Sequence, residues 1–244
     1  MTGASGGLGR ALALCYAKPG IRLQLAGRNA EELARTASLC TAAGAEVATA
    51  ILDVADREAM ARWTQDADLQ SPIDLVIACA GISGELGPPG EEPSPAEWIY
   101  RVNVLGVLNT VEPLLAAMRR RRRGQIGLVA SVAGFRGFPR GPAYSGSKAA
   151  IIMHGQAWRE VLSGEGIGVS VICPGYLRTA MTARHDFPLP FALDPDRAAA
   201  RIAAGLARNQ ARIVIPWPMP IVAWLFRALP ASWTRMLIPG RTRP

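Results

Sequence analysis

Tyr144 and Lys148 stand four residues apart in the run Tyr144-Ser145-Gly146-Ser147-Lys148. In a helix that spacing brings both side chains to one face. A phenol ordinarily titrates near pH ~10, and a close ammonium favours its ionised form, so the two together can serve as a general acid and base. A Tyr and a Lys also fall at this spacing by chance in any amphipathic helix. Lysine is scarce in this chain, however. Lys18 and Lys148 are the only two among 27 cationic residues, and all the others are arginine. Ammonium and guanidinium are not interchangeable, so a lysine retained against that bias points to a specific task. Thirteen residues before Tyr144, Ser131 closes a strand-like apolar run. The carboxyl ends of parallel strands are where α/β proteins bind ligands, and the Ser131 hydroxyl is placed to bond a substrate oxygen.

The opening segment, Thr2-Gly3-Ala4-Ser5-Gly6-Gly7-Leu8-Gly9, leads straight into a helical pattern. Glycines at such a turn let the backbone approach a pyrophosphate, whose charge then sits at a helix N-terminus. An ordinary Gly-rich turn capping a helix looks the same in isolation. The unit that follows tips the balance: a strand pattern over residues 21–26 ends in Ala26-Gly27-Arg28, about twenty residues past the loop, where dinucleotide folds read the ribose. An acid at that point suits NAD; Arg28 offers a cation for the 2′-phosphate of NADP.

These residues need a scaffold, and the hydrophobic pattern supplies one. Short apolar runs at 21–26, 46–52, 73–79, 125–130, 168–173 and 212–215 read as strands. Helical spacing of apolar residues over 8–18, 30–43, 56–66, 95–122, 143–163 and 195–208 reads as helices between them. Asp194-Pro195 signs a helix start. Strands alternating with helices, and apolar continuously rather than on alternate residues, predict a doubly wound parallel sheet covered on both faces.

Taken in order, Thr2-Gly-x-x-x-Gly-x-Gly9, Ser131 and Tyr144-x-x-x-Lys148 resemble the single-domain branch of the short-chain dehydrogenase/reductases. The resemblance runs from Met1 to about residue 216. It implies a Rossmann-like fold and an NADP-preferring oxidoreductase, NAD remaining open, acting on a carbonyl or secondary alcohol that is small and hydrophobic. It implies catalytic roles for Asn103, Ser131, Tyr144 and Lys148: Tyr144 exchanges the proton, Lys148 lowers the phenol pKa and bonds the nicotinamide ribose, Ser131 orients the substrate oxygen, and Asn103 fixes a water that links Lys148 to solvent. It also implies cofactor contacts at Gly3, Ser5, Gly7, Leu8, Gly9, Arg28, Asp53, Val54, Ala80, Gly81, Tyr144, Lys148, Pro174, Gly175, Leu177 and Thr179.

Two departures stand out. Ala78-Cys79-Ala80-Gly81 replaces an Asn-Asn-Ala-Gly segment, so any bracing bond those amides make in relatives needs a substitute. Only Met1 precedes Thr2 where the family has a central strand; the chain is therefore expected to lack that strand or hold a stub of it, and the natural start is expected upstream. A chain so truncated raises a second reading, a non-catalytic dinucleotide- or partner-binding remnant, which the presence of all four catalytic residues opposes.

The 244 residues, 50% hydrophobic with 19% charged, exclude a disordered chain. The scattered Cys15, Cys40, Cys79 and Cys173, with only His154 and His185, suggest a reducing compartment and no structural metal. The opening residues lack a secretory-leader pattern and no apolar run is long enough to cross a bilayer, so a cytoplasmic protein is expected. A formal net charge of +8 raises nucleic acid as a partner, and Arg119–Arg123 is its best feature. Cations ending a helix complement its dipole, which leaves no nucleic-acid partner expected. The resemblance implies a homo-oligomer pairing through the helices at 95–122 and 143–163. Met181, His185, Phe187, Pro188, Leu189, Pro190 and Phe191 fall in the family's substrate lid. The tail from 217 to 244, an extension of the same domain, holds half of the six tryptophans with arginines and no acids. It suits either packing over the cleft or contact with a membrane surface.

Overall fold

The structure is a computed structural model that describes residues 1–83, 94–138, 141–184 and 191–217. The expectations placed on His185, Phe187, Pro188, Leu189, Pro190 and residues 218–244 lie outside these.

Among the described residues six parallel strands form the frame: β1 (Arg22–Gly27), β2 (Glu46–Ile51), β3 (Leu75–Ala78), β4 (Gly124–Val129), β5 (Ile167–Pro174) and β6 (Arg212–Ile215). Between them run α1 (Gly7–Tyr16), α2 (Ala30–Ala42), α3 (Arg57–Gln70), α4 (Ser94–Tyr100), α5 (Gly106–Arg121), α6 (Pro142–Ser163) and α7 (Pro195–Ala207). The strands group as β1-β2 and as β3-β4-β5-β6. What joins the two groups is the stub that the sequence predicts. Thr2 pairs with Ala26, its N–H donates to the Ile77 carbonyl at 3.1 Å, and the Met1 carbonyl accepts from Ala26 N at 2.9 Å. The architecture is a Rossmann-like doubly wound sheet in which Met1 and Thr2 lie between the two strand groups.

Alternation along the strands explains the two covered faces, since successive side chains point to opposite sides. Val76, Ala78, Ile126, Leu128, Val169 and Val171 pack with Val111, Leu114 and Met118 of α5 and Ile151 and Ile152 of α6. On the other face Ile77, Val129 and Ile172 meet Leu8 and Leu12 of α1 and Ala198, Ile202 and Leu206 of α7. Each such aliphatic side chain stabilises by about 1.5–3 kcal/mol when fully buried. β2 departs from the expectation of strands covered on both sides. As an edge strand it leaves four of its six residues exposed, Ile51 among them.

The helix expected as one element over 95–122 is interrupted. Between α4 and α5, residues Arg101–Leu105 wind as a π-turn, which inserts one residue and turns the buried Asn103 inward. Such turns recur at functional sites. The arginines ending α5 are mostly engaged with protein. Arg121 grips Asp68 through two bonds of 2.7 and 2.9 Å, Arg119 meets Glu165 at 2.5 Å, Arg123 meets Asp74 at 3.0 Å, and Arg122 donates to the Gly164 carbonyl. At α7, Asp194 occupies the N-cap position but directs its carboxylate to Arg178 at 2.9 Å instead of capping the helix. No helix among the described residues is long and apolar enough to cross a membrane.

Candidate active site

At the carboxyl ends of β3, β4 and β5 the predicted chemistry converges. The first turn of α6 carries Tyr144, and one turn later Lys148, 4% exposed, points its ammonium into the interior, where it donates to the Val129 carbonyl at 3.0 Å. Its Nζ lies 5.8 Å from the Tyr144 ring centroid. Ser131 leaves β4 as the cap of a short 3₁₀ turn; its oxygen accepts from Ala133 N at 3.1 Å and bonds the Tyr144 phenol. Asn103 enters from the π-turn. Its Oδ1 accepts from Ile82 N at 2.8 Å, and its Nδ2 donates to the Ile82 carbonyl at 2.9 Å and to the Ser147 hydroxyl at 3.0 Å. A Cβ placed on Gly81 would lie 3.2 Å from Asn103 Oδ1 and 3.3 Å from Lys148 Nζ, so glycine there leaves room between β3 and both side chains.

The electrostatics differ from expectation. The sequence predicts a phenol drawn down by Lys148. Instead burial holds the Tyr144 phenol above its ordinary value, opposed chiefly by the Ser131 bond. Burial likewise pulls Lys148 down to about 8, against which Cys79 and Cys173 act. The physical reason is dehydration: each group loses water on entering the site, and the ammonium is committed to a backbone carbonyl rather than to the phenol oxygen. At neutral pH the phenol therefore keeps its proton.

The opening loop approaches the same cleft. Gly3 has φ 71°, and a Cβ on it would lie 2.9 Å from Ala80 N; a Cβ on Gly9 would overlap the Gly3 carbonyl oxygen. Only glycine allows the loop to pass so close to β3 and α1 to start beneath it. Thr2, 1% exposed, accepts from Cys79 N at 3.1 Å and Ala80 N at 3.3 Å, which supplies the brace that the missing amides leave open. Arg10 steadies the loop from α1, donating to the Ser5 carbonyl at 3.2 Å while pairing with Glu32 of α2. Gly7 lies exposed at the start of α1, whereas Leu8 is buried in the core, so only its backbone faces the loop.

At the far end Arg28 is exposed and lies 3.8 Å from Asp53, whose other oxygen accepts from Ala55 N. Val54 turns its side chain inward against Met60 and Val102. On the opposite wall, Pro174 ends β5, Gly175 N–H donates to the Ile215 carbonyl, and Leu177 is buried and paired with Leu193. Thr179 borders a cavity of about 440 Å³ with Arg178 and Thr182, and its methyl would lie 3.4 Å from a Cβ on Gly7. Among the residues expected to contact a cofactor, Leu8, Val54 and Leu177 place their side chains in the hydrophobic core.

Two hydrogen-bond partners of these residues are not flagged by the sequence: the Ser147 hydroxyl, bonded by Asn103, and the Val129 carbonyl, bonded by Lys148. Ser147 could have been flagged by its position beside Lys148 and three residues after Tyr144. A backbone carbonyl leaves no trace in residue identity.

The architecture is shared with solved structures. Over the whole of this chain and 96% of its counterpart, it superimposes on a short-chain dehydrogenase from Sphingobium yanoikuyae in complex with NADPH, with TM-score 0.80 at 22% identity. In sequence, an uncharacterized oxidoreductase of Myxococcus xanthus is 34% identical over 94% of this chain and 91% of its own length. Ketoacyl reductase HetN of Nostoc sp. is 33% identical over 94% and 81%. The family model described as short chain dehydrogenase matches residues 1–187. Matched by that model over most of its length and by relatives at 34% and 33% identity, the chain belongs to the short-chain dehydrogenase family.

Proposed function

We propose that the protein reduces the carbonyl of a hydrophobic substrate, or oxidises the corresponding secondary alcohol, using NADP(H). The observation that carries this reading is the convergence of Ser131, Tyr144 and Lys148 at one point beside the glycine loop. A dinucleotide fits the residues present: the tight loop leads to a helix N-terminus suited to the pyrophosphate, Gly81 leaves space beside Lys148, and Arg28 meets a 2′-phosphate. When bound, the nicotinamide would supply or accept the hydride.

The chain's own groups handle the proton and the oxygen. Tyr144, kept protonated by burial, donates its phenolic proton to the carbonyl oxygen, and the reverse transfer serves the alcohol. The Ser131 hydroxyl bonds the same oxygen and orients it. Lys148, whose ammonium is held by the Val129 carbonyl beside the space at Gly81, would bond the nicotinamide ribose. The name ketoacyl reductase, carried by HetN, makes a ketoacyl compound the first substrate to try, and the apolar residues of the segment expected to form the lid extend the class to hydrophobic ketones.

The test is NADPH binding by fluorescence, followed by NADPH oxidation with acetoacetyl thioester, a 17-ketosteroid and medium-chain ketones. Tyr144→Phe should bind NADPH within twofold of wild type and lose about 10²–10⁴-fold in turnover. Full turnover in that variant would refute the assignment.

A further inference from the structure

Among the described buried polar groups, Ser147 is fully enclosed yet belongs to none of the roles above. Its hydroxyl donates to the Tyr144 carbonyl at 2.7 Å and accepts from Asn103 Nδ2 at 3.0 Å. A hydroxyl has a single proton to give. With that proton committed to the Tyr144 carbonyl, Ser147 can only accept from Asn103, which obliges the amide to present its NH₂ and not its oxygen. The second Nδ2 hydrogen then goes to the Ile82 carbonyl and Oδ1 receives the Ile82 N–H. Both N–H groups and one lone pair of the amide are thus engaged in one orientation, and the reverse orientation would set like against like at all three partners.

Two segments meet at this oxygen, the first turn of α6 and the π-turn, and the Asn103 amide ties them in turn to the segment after β3. They are also the segments that set where Tyr144, Asn103 and Lys148 sit. We propose that Ser147 is a positioning residue for the reaction, locking the Asn103 amide to the peptide of Tyr144 and so holding the phenol in register with Ser131 and Lys148. This rests on the functional reading above, in which Tyr144 carries the proton.

Removing the hydroxyl leaves an amide donor without a partner in a dry site, and the α6 turn loses its tie to the π-turn. The geometry that suffers is the Tyr144–Ser131 contact, which lowers the phenol pKa. Ser147→Ala should therefore raise the Tyr144 titration midpoint, read as tyrosinate absorbance against the matching Tyr144→Phe background. It should also lower kcat about tenfold, the value of one such bond, and move the basic limb of the kcat profile upward, while NADPH affinity by fluorescence stays within twofold. Ser147→Thr, which keeps the hydroxyl, should restore both readouts. Ser147→Cys, of similar volume and a weak donor, serves if the alanine variant does not fold, and should fall between the two.

A Ser147→Ala protein, or the Cys variant in its place, with reduced melting temperature but unchanged Tyr144 titration and kcat would overturn the proposal and leave a purely structural serine. So would a threonine variant no better than alanine. Failure of the functional reading looks different: Tyr144→Phe would then turn over at the wild-type rate, whatever Ser147 does to the phenol.

Discussion

The β1–β2 end of the sheet, with Arg28 and Asp53, and the β3–β6 end, with Ser131, Tyr144 and Lys148, are held by unlike forces. The β1–β2 pair has a small core of Leu23, Leu25, Leu33 and Cys40, an exposed edge strand, and at its carboxyl end an ion pair of 3.8 Å between partly exposed groups. Exposed pairs of that kind are worth about 0–1 kcal/mol. The β3–β6 end is clad by helices on both faces and places its polar groups inside closed hydrogen-bond sets. The difference suits the two tasks we propose for these ends. Moving a proton demands closely fixed positions in a dry site, whereas gripping a charged, solvated group works through reach and charge.

The widest contrast is in stability. Leu128→Ala, at a fully buried side chain of β4, should cost about 2–5 kcal/mol in urea unfolding. Ile51→Ala on β2, 64% exposed, should stay within about 0.5 kcal/mol. Equal losses would erase the distinction between the two ends.

A pH series sharpens it further. Lys148 titrates at about 8 in the folded chain against 10.5 ordinarily. Between those values the unfolded chain holds a proton that the folded chain does not, so stability rises with pH across the window. Below about 8 both states are charged, and the full burial cost is present. Lys148→Met removes this dependence. The wild type should gain on it by about 3 kcal/mol as pH rises through the window; parallel curves would contradict a dehydrated ammonium.

The joint between the ends is Thr2. Thr2→Val keeps the shape but leaves the Cys79 and Ala80 N–H groups without their acceptor, at about 1–3 kcal/mol. Hydrogen exchange should quicken at those two amides, with unchanged exchange counting against the brace. The smallest effect belongs to the open end. Arg28→Ala should raise KM for NADPH about tenfold, as for one charge-assisted bond, and leave KM for NADH alone. A matching loss with both cofactors would remove Arg28 from discrimination.

Residue identity and spacing carried most of this architecture. The period of the apolar residues marked six strands and most helix spans, because burial acts on every side chain along a face. The glycine loop and the Tyr144/Lys148 pair were visible because each needs particular residue types at fixed separations along one local element. The π-turn at Asn103 was not visible: inserting a residue into a helix changes no propensity, and it depends on partners at Ile82 and Ser147 that are distant in sequence. The same reason hid the raised phenol and the lowered ammonium. Whether Lys148 faces the Tyr144 oxygen or the Val129 carbonyl depends on how β4 meets α6, and the dehydration that sets both pKa values exists only once those elements are packed together.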